Sequence, residues 1–134
     1  MAPIILVDGN NESPDFFGPT RFNFEHGLKD VMAPYSLDVD MPVDSVTRHG
    51  AVLKARVPLI LQSFGVQHFH VIAHSKGGLD SREYFALLGR DGSPAVVPLS
   101  LVTLCTPHSG SPGADYGCLS PRGSILALRQ PDSS

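Results

Sequence analysis

The chain has 134 residues, 42% of them hydrophobic and 17% charged, with a formal net charge of −3. That length bounds it to a single domain over 1–134, long enough to bury a core, and the composition excludes an intrinsically disordered chain. The acidic balance sets it against nucleic acid or an anionic membrane as a main partner, and no apolar stretch approaches the roughly 20 residues of a transmembrane segment.

In chain order, Met1-Ala2-Pro3 runs straight into Ile4–Val7, an apolar run too short for the core of a signal peptide and lacking a basic start. Being β-branched and followed by Asp8-Gly9-Asn10, it predicts a buried strand ending in a turn. Asn10–Tyr35, rich in Gly, Pro, Asn and Phe, is expected to be loop with a short helix. Leu37, Val39 and Met41 alternate with polar residues, which predicts a strand over Ser36–Met41 near a sheet edge.

Asp44 or Ser45 is then positioned to cap a helix whose stripe is Val46, Leu53, Val57, Ile60, Leu61 and Phe64, with Gly65 as its stop. Pro58 lies inside this stretch and is expected to kink or break it, because it lacks a backbone donor. Phe69–Ala73 predicts a second buried strand, Lys76–Leu88 a helix stopped by Gly89, and Leu99–Cys105 a third buried strand. Such alternation indicates an α/β fold, a mostly parallel sheet with flanking helices. The strands near 4–7, 69–73 and 99–105 should lie side by side. Cys105 is expected to be a buried small hydrophobe. With Cys118 as the only other cysteine, there is no disulfide framework.

Chemistry enters between His70 and Leu79. A strand runs into Ala73-His74-Ser75-Lys76-Gly77 and then into a helix, the small-x-Ser-x-Gly pattern of a nucleophile elbow with Ala73 in place of the commoner first Gly. An elbow lifts its serine above the sheet on a strained turn. The residues two before and two after must therefore be small, as Ala73 and Gly77 are. The rival assignment is a Ser that caps an ordinary helix after a strand.

Val71-Ile-Ala-His-Ser-Lys-Gly-Gly-Leu-Asp-Ser-Arg82 resembles the nucleophile segment of the α/β-hydrolase lipases, the bacterial triacylglycerol lipases and their esterase relatives. Leu101–Asp115, with Thr106-Pro107-His108, resembles the strand and loop that follow in that family, and Pro3–Gly9 resembles the strand leading into its oxyanion loop. The resemblance implies Ser75 as nucleophile, an ester or lipid as substrate, and neither cofactor nor metal. It further implies two backbone oxyanion donors, the N–H of Lys76 and that of Asn10, with Asp8-Gly9 standing where relatives carry His-Gly. Ala73, His74 and Gly77 would support the elbow. His108 would serve its turn structurally.

The other histidines are expected to be structural. His68 and His70 lack the further ligands of a zinc site, and His26 and His49 are expected on the surface or in loops. Arg82 and Glu83 are expected to be solvated or paired. In this fold the triad acid and base follow the serine in the order Ser, Asp/Glu, His, yet no His follows His108. The chain is therefore expected to be an incomplete α/β-hydrolase domain, C-terminally truncated, and to turn over esters poorly alone. Its sheet edge would invite self-association. Two rivals keep the same elbow: a non-catalytic binding module and an acyltransferase.

Overall fold

The computed structural model of the chain describes residues 2–9, 45–92 and 95–112 in full and the backbone of 32–37. Four strands, β1 (Ala2–Val7), β2 (Met32–Leu37), β3 (His68–His74) and β4 (Val97–Leu104), form one sheet in the order β2-β1-β3-β4. Every pairing is parallel. Two helices, α1 (Val46–Phe64) and α2 (Lys76–Asp91), are described. The strands expected near 4–7, 69–73 and 99–105 are thus neighbours, as the alternation of apolar runs implied.

β1 is buried from Pro3 to Val7, which its unbroken apolar run requires. Ile5 and Val7 join Phe69, Val71 and Ala73 of β3 and Leu53, Val57, Ile60 and Leu61 of α1 in one core, closed by Tyr84 and Leu88 of α2. Ile4 and Leu6 point to the opposite face, where Ile72 packs against them. Both described helices therefore cover one face of the sheet.

Several boundaries differ from the sequence reading. β2 begins at Met32 rather than Ser36, and its Pro34 sits in an edge strand, where a missing donor is tolerated. Residues 38–41, the rest of the expected strand, lie outside the described residues. Ser45 is the cap of α1, its Oγ accepting from the Arg48 N–H at 3.2 Å, and Gly65 ends the helix in a left-handed conformation (φ 66°). α1 runs through Pro58 as one element, with buried flanks at Val57 and Ile60. Packing of that stripe outweighs the one lost hydrogen bond. Phe64, expected on the stripe, is exposed at the last turn. α2 continues past Gly89 and ends at Gly92 (φ 60°), whose N–H reaches Leu88 O at 3.2 Å.

The largest correction is β4. Expected to be buried, it exposes Val97, Leu99, Val102 and Leu104 by 43–51%, and only Leu101 packs on the core. Among the described residues its edge position gives it a single neighbour, β3. Cys105, one residue past the strand, is exposed and free, because the chain has already turned off the sheet with φ 52°. Cys118 lies outside the described residues.

Tyr84 is 1% exposed, and among the described residues its hydroxyl has no hydrogen-bond partner. Its ring stacks on Phe69 at 6.2 Å, so the site is held by the ring rather than the hydroxyl. Tyr84→Phe is expected to stabilise the chain by about 1 kcal/mol in urea denaturation at pH 7, because it removes a desolvated, unmatched group. Burial also pushes the Tyr84 phenol well above its ordinary value of 10.0. Above that pH the unfolded chain releases a proton that the folded one retains. Stability of the parent then falls by up to about 1.4 kcal/mol per pH unit, and the advantage of the Tyr84→Phe chain widens.

Candidate active site

Ser75 lies between the last residue of β3 and the first of α2, with φ 53° and ψ −130°. A non-glycine residue in that region carries about 1–3 kcal/mol of strain, which its surroundings must hold. They do so on both sides: the Ser75 N–H donates to Leu104 O at 2.8 Å, and Ser75 O accepts from the Gly78 N–H at 3.1 Å. The hydroxyl makes no capping bond to the helix it precedes, which removes the ordinary helix-cap assignment. Ser75 and Cys105 follow the paired residues His74 and Leu104, so the two left-handed residues stand beside each other at the strand ends.

The need for small neighbours is visible in the packing. Ala73 is fully buried under the turn. A Cβ on Gly77 would lie 2.4 Å from Asp8 O and 2.7 Å from Val7 O, and one on Gly78 would lie 2.1 Å from Thr106 Oγ1. Two glycines thus let the first turn of α2 settle between the ends of β1 and the loop after β4. The N-terminal amides of α2, with the positive end of its dipole, are left at the turn.

The Lys76 side chain does what its place in a turn does not suggest. It is buried (0% exposed), with Nζ 2.8 Å from Asp80 Oδ1 and 3.0 Å from His49 Nδ1. His49 Nδ1 is in turn 2.9 Å from Asp80 Oδ2. His49, expected in a loop or on the surface, is therefore a buried residue of α1. The signal was present: it falls between Val46 and Leu53 at helical spacing, on the apolar stripe.

The other polar residues near the turn have separate partners. His74 is half-buried at the end of β3. His108 is fixed between Arg82, whose Nη1 approaches Nδ1 at 3.0 Å, and Thr103 Oγ1, 3.0 Å from Nε2. Since the guanidinium can only donate, Nδ1 accepts and Nε2 donates to Thr103. Glu83 pairs with Arg90 at 3.0 Å. His70 meets Ser100 Oγ at 2.7 Å. Among the described residues no group of three His, Cys, Asp or Glu side chains is placed to hold a metal ion. Asp8 and Gly9 are half-buried beside Gly77, whereas Asn10 and His26 lie outside the described residues.

No family model matches the chain. Curated relatives do, among them a triacylglycerol lipase of Pseudarthrobacter phenanthrenivorans and one of Burkholderia plantarii. Each is 31% identical over 121 residues and matches 85% of this chain. The chain spans about a third of their length, the matched shares being 35% and 32%. Among solved structures, a lipase of Bacillus licheniformis in its mature form superposes with a TM-score of 0.76 at 26% identity. The superposition takes in 96% of this chain and 54% of that one.

Proposed function

The chain is lipase-like, with the α/β-hydrolase fold over most of its length, and from that premise we propose that it acts on carboxylic esters through Ser75. The Ser75 hydroxyl attacks the ester carbonyl, an acyl-serine forms as the alcohol leaves, and water releases the acid. The backbone N–H of Lys76, first in α2, is one donor to the tetrahedral oxyanion; that of Asn10, after β1, is the other. The single observation that carries this reading is a serine held at φ 53° between a parallel strand and a helix, with its hydroxyl not spent on capping. A serine hydroxyl needs a base to act as a nucleophile. His49, His70 and His108 are engaged with other side chains, and the base is expected outside residues 2–9, 45–92 and 95–112. The exposed side chains of β4, and its outer edge with no partner strand among the described residues, support self-association through a second copy.

The test is steady-state turnover of esters of increasing acyl length by the 134-residue chain. The expected rate exceeds that in water by no more than about 10³–10⁴-fold, the residue of catalysis that binding and oxyanion donors give without a complete triad. A rate at the uncatalysed level with every ester rejects the hydrolase reading in favour of a binding module. Fast, Ser75-dependent turnover keeps it and puts a base inside the chain, with His26 the first to replace.

A further inference from the structure

We propose that Lys76 is a positioning residue, its buried ammonium clamping the elbow from inside through Asp80 and His49 and so fixing the direction of its own backbone N–H. The proposal rests on Ser75 being the nucleophile, and it assigns the Lys76 side chain work separate from the amide's.

Lys76 gives up solvation to sit where it does. A lysine at a turn ordinarily lays its stem along apolar surface and keeps the ammonium in water. Here the whole side chain is buried, and its charge sits in the first turn of a helix, where the dipole disfavours a cation. Burying a charge is tolerated only when partners surround it. The partners are close, at 2.8 and 3.0 Å, and come from two elements: Asp80 one turn along α2, and His49 on α1. Asp80 closes the triangle, one oxygen on Lys76 and the other 2.9 Å from His49 Nδ1. His49 Nδ1 can donate to Asp80 or accept from Lys76, but not both. In either tautomer Lys76 is held by Asp80 Oδ1, and the one bond His49 Nδ1 makes, to Asp80 or to Lys76, ties α1 to that pair.

The neighbours of Lys76 explain why the elbow needs such a tether. Gly77 and Gly78 follow it, so within Ser75–Gly78 it carries the one side chain anchored in the interior. On the strand side the strained Ser75 is held by its N–H bond to Leu104 O and on the helix side by the Gly78 N–H bond to its own carbonyl, to which the buried Lys76 side chain adds an anchor. Loss of the tether should free the turn locally and leave the sheet as it is.

The experiment compares the parent chain with Lys76→Met and with the pair Lys76→Met/Asp80→Leu, which removes both charges and keeps apolar bulk should the single variant fail to fold. Amide hydrogen exchange by NMR reads Ser75 against the interior of β3, and intact mass reads Ser75 modification by excess aryl fluorophosphonate. In the pair variant the Ser75 amide is expected to exchange at least about 10-fold faster while Val71 and Ile72 are unchanged, and phosphonylation should slow by a similar factor. Unchanged exchange at Ser75, or acceleration shared equally by the strand, overturns the clamp. Faster exchange confined to Ser75, in a chain whose parent is never phosphonylated there, supports the clamp and overturns the hydrolase reading instead.

Discussion

Asp80→Ala is expected to lower unfolding stability by about 3–5 kcal/mol, a large share of the roughly 5–15 kcal/mol that holds an ordinary domain. Asp80 is 3% exposed and bridges a fully buried ammonium and a buried imidazole. Removing it strands Lys76 with His49 as its remaining described partner, and the folded state must then desolvate a charge with nothing to oppose it. Adding Lys76→Met to Asp80→Leu should recover most of the loss, because a buried ion pair exchanged whole for apolar bulk is often neutral. Urea denaturation of the single and paired variants measures both. If the pair is as unstable as Asp80→Ala, the effect comes from volume, and the electrostatic account of the cluster is wrong.

Gly77→Ala should act in the opposite sense from the usual helix rule. Alanine in a helix interior is worth about 1 kcal/mol over glycine. At Gly77 the added methyl meets the carbonyl oxygens of Asp8 and Val7 at 2.4 and 2.7 Å, and neither belongs to a side chain that can swing aside. Overpacking of this kind costs about 3 kcal/mol, so the net loss is about 2 kcal/mol, with the start of α2 pushed off the end of β1. Gly89→Ala is the internal control. It sits on the same helix with nothing within 4 Å of its Cβ, and should gain about 1 kcal/mol. Thermal or chemical melts of the two variants should therefore move apart; equal shifts would remove the steric basis of the elbow.

How much of this was legible in the sequence depended on whether the signal was local. Ile4–Val7 could only be a buried strand, Ser45 and Gly65 bracket a helix by their capping chemistry, and Ala73, Ser75 and Gly77 state the size pattern of the turn. The parallel order of β1, β3 and β4 followed from alternation with helices. What failed was set by tertiary partners. The apolar residues of β4 gave no sign that, among the described residues, the strand has a neighbour on one side only. Cys105 ends an apolar run in sequence but stands at the strand crest in space. Gly89 and Gly92 offer the same residue type as a stop, and the backbone chose the later one. His49 read as a surface or loop residue, because the carboxylate that meets it inside is 31 residues away in sequence.

The claim that Ser75 is a nucleophile is tested most directly by where a serine-directed reagent lands. The chain has several other serines in the described residues, among them Ser45, Ser63, Ser81, Ser100 and Ser109, and these serve as internal references. Ser81 already donates to Gly77 O at 2.7 Å and Ser63 to Ile60 O at 2.6 Å, whereas the Ser75 hydroxyl makes no capping bond to α2, the helix it precedes. After prolonged exposure to excess aryl fluorophosphonate, peptide mass spectrometry should find one phosphonyl group, on the peptide carrying Ser75, and none on the Ser75→Ala chain. A group spread over several serines, one that persists in Ser75→Ala, or a folded chain left wholly unmodified would contradict the account.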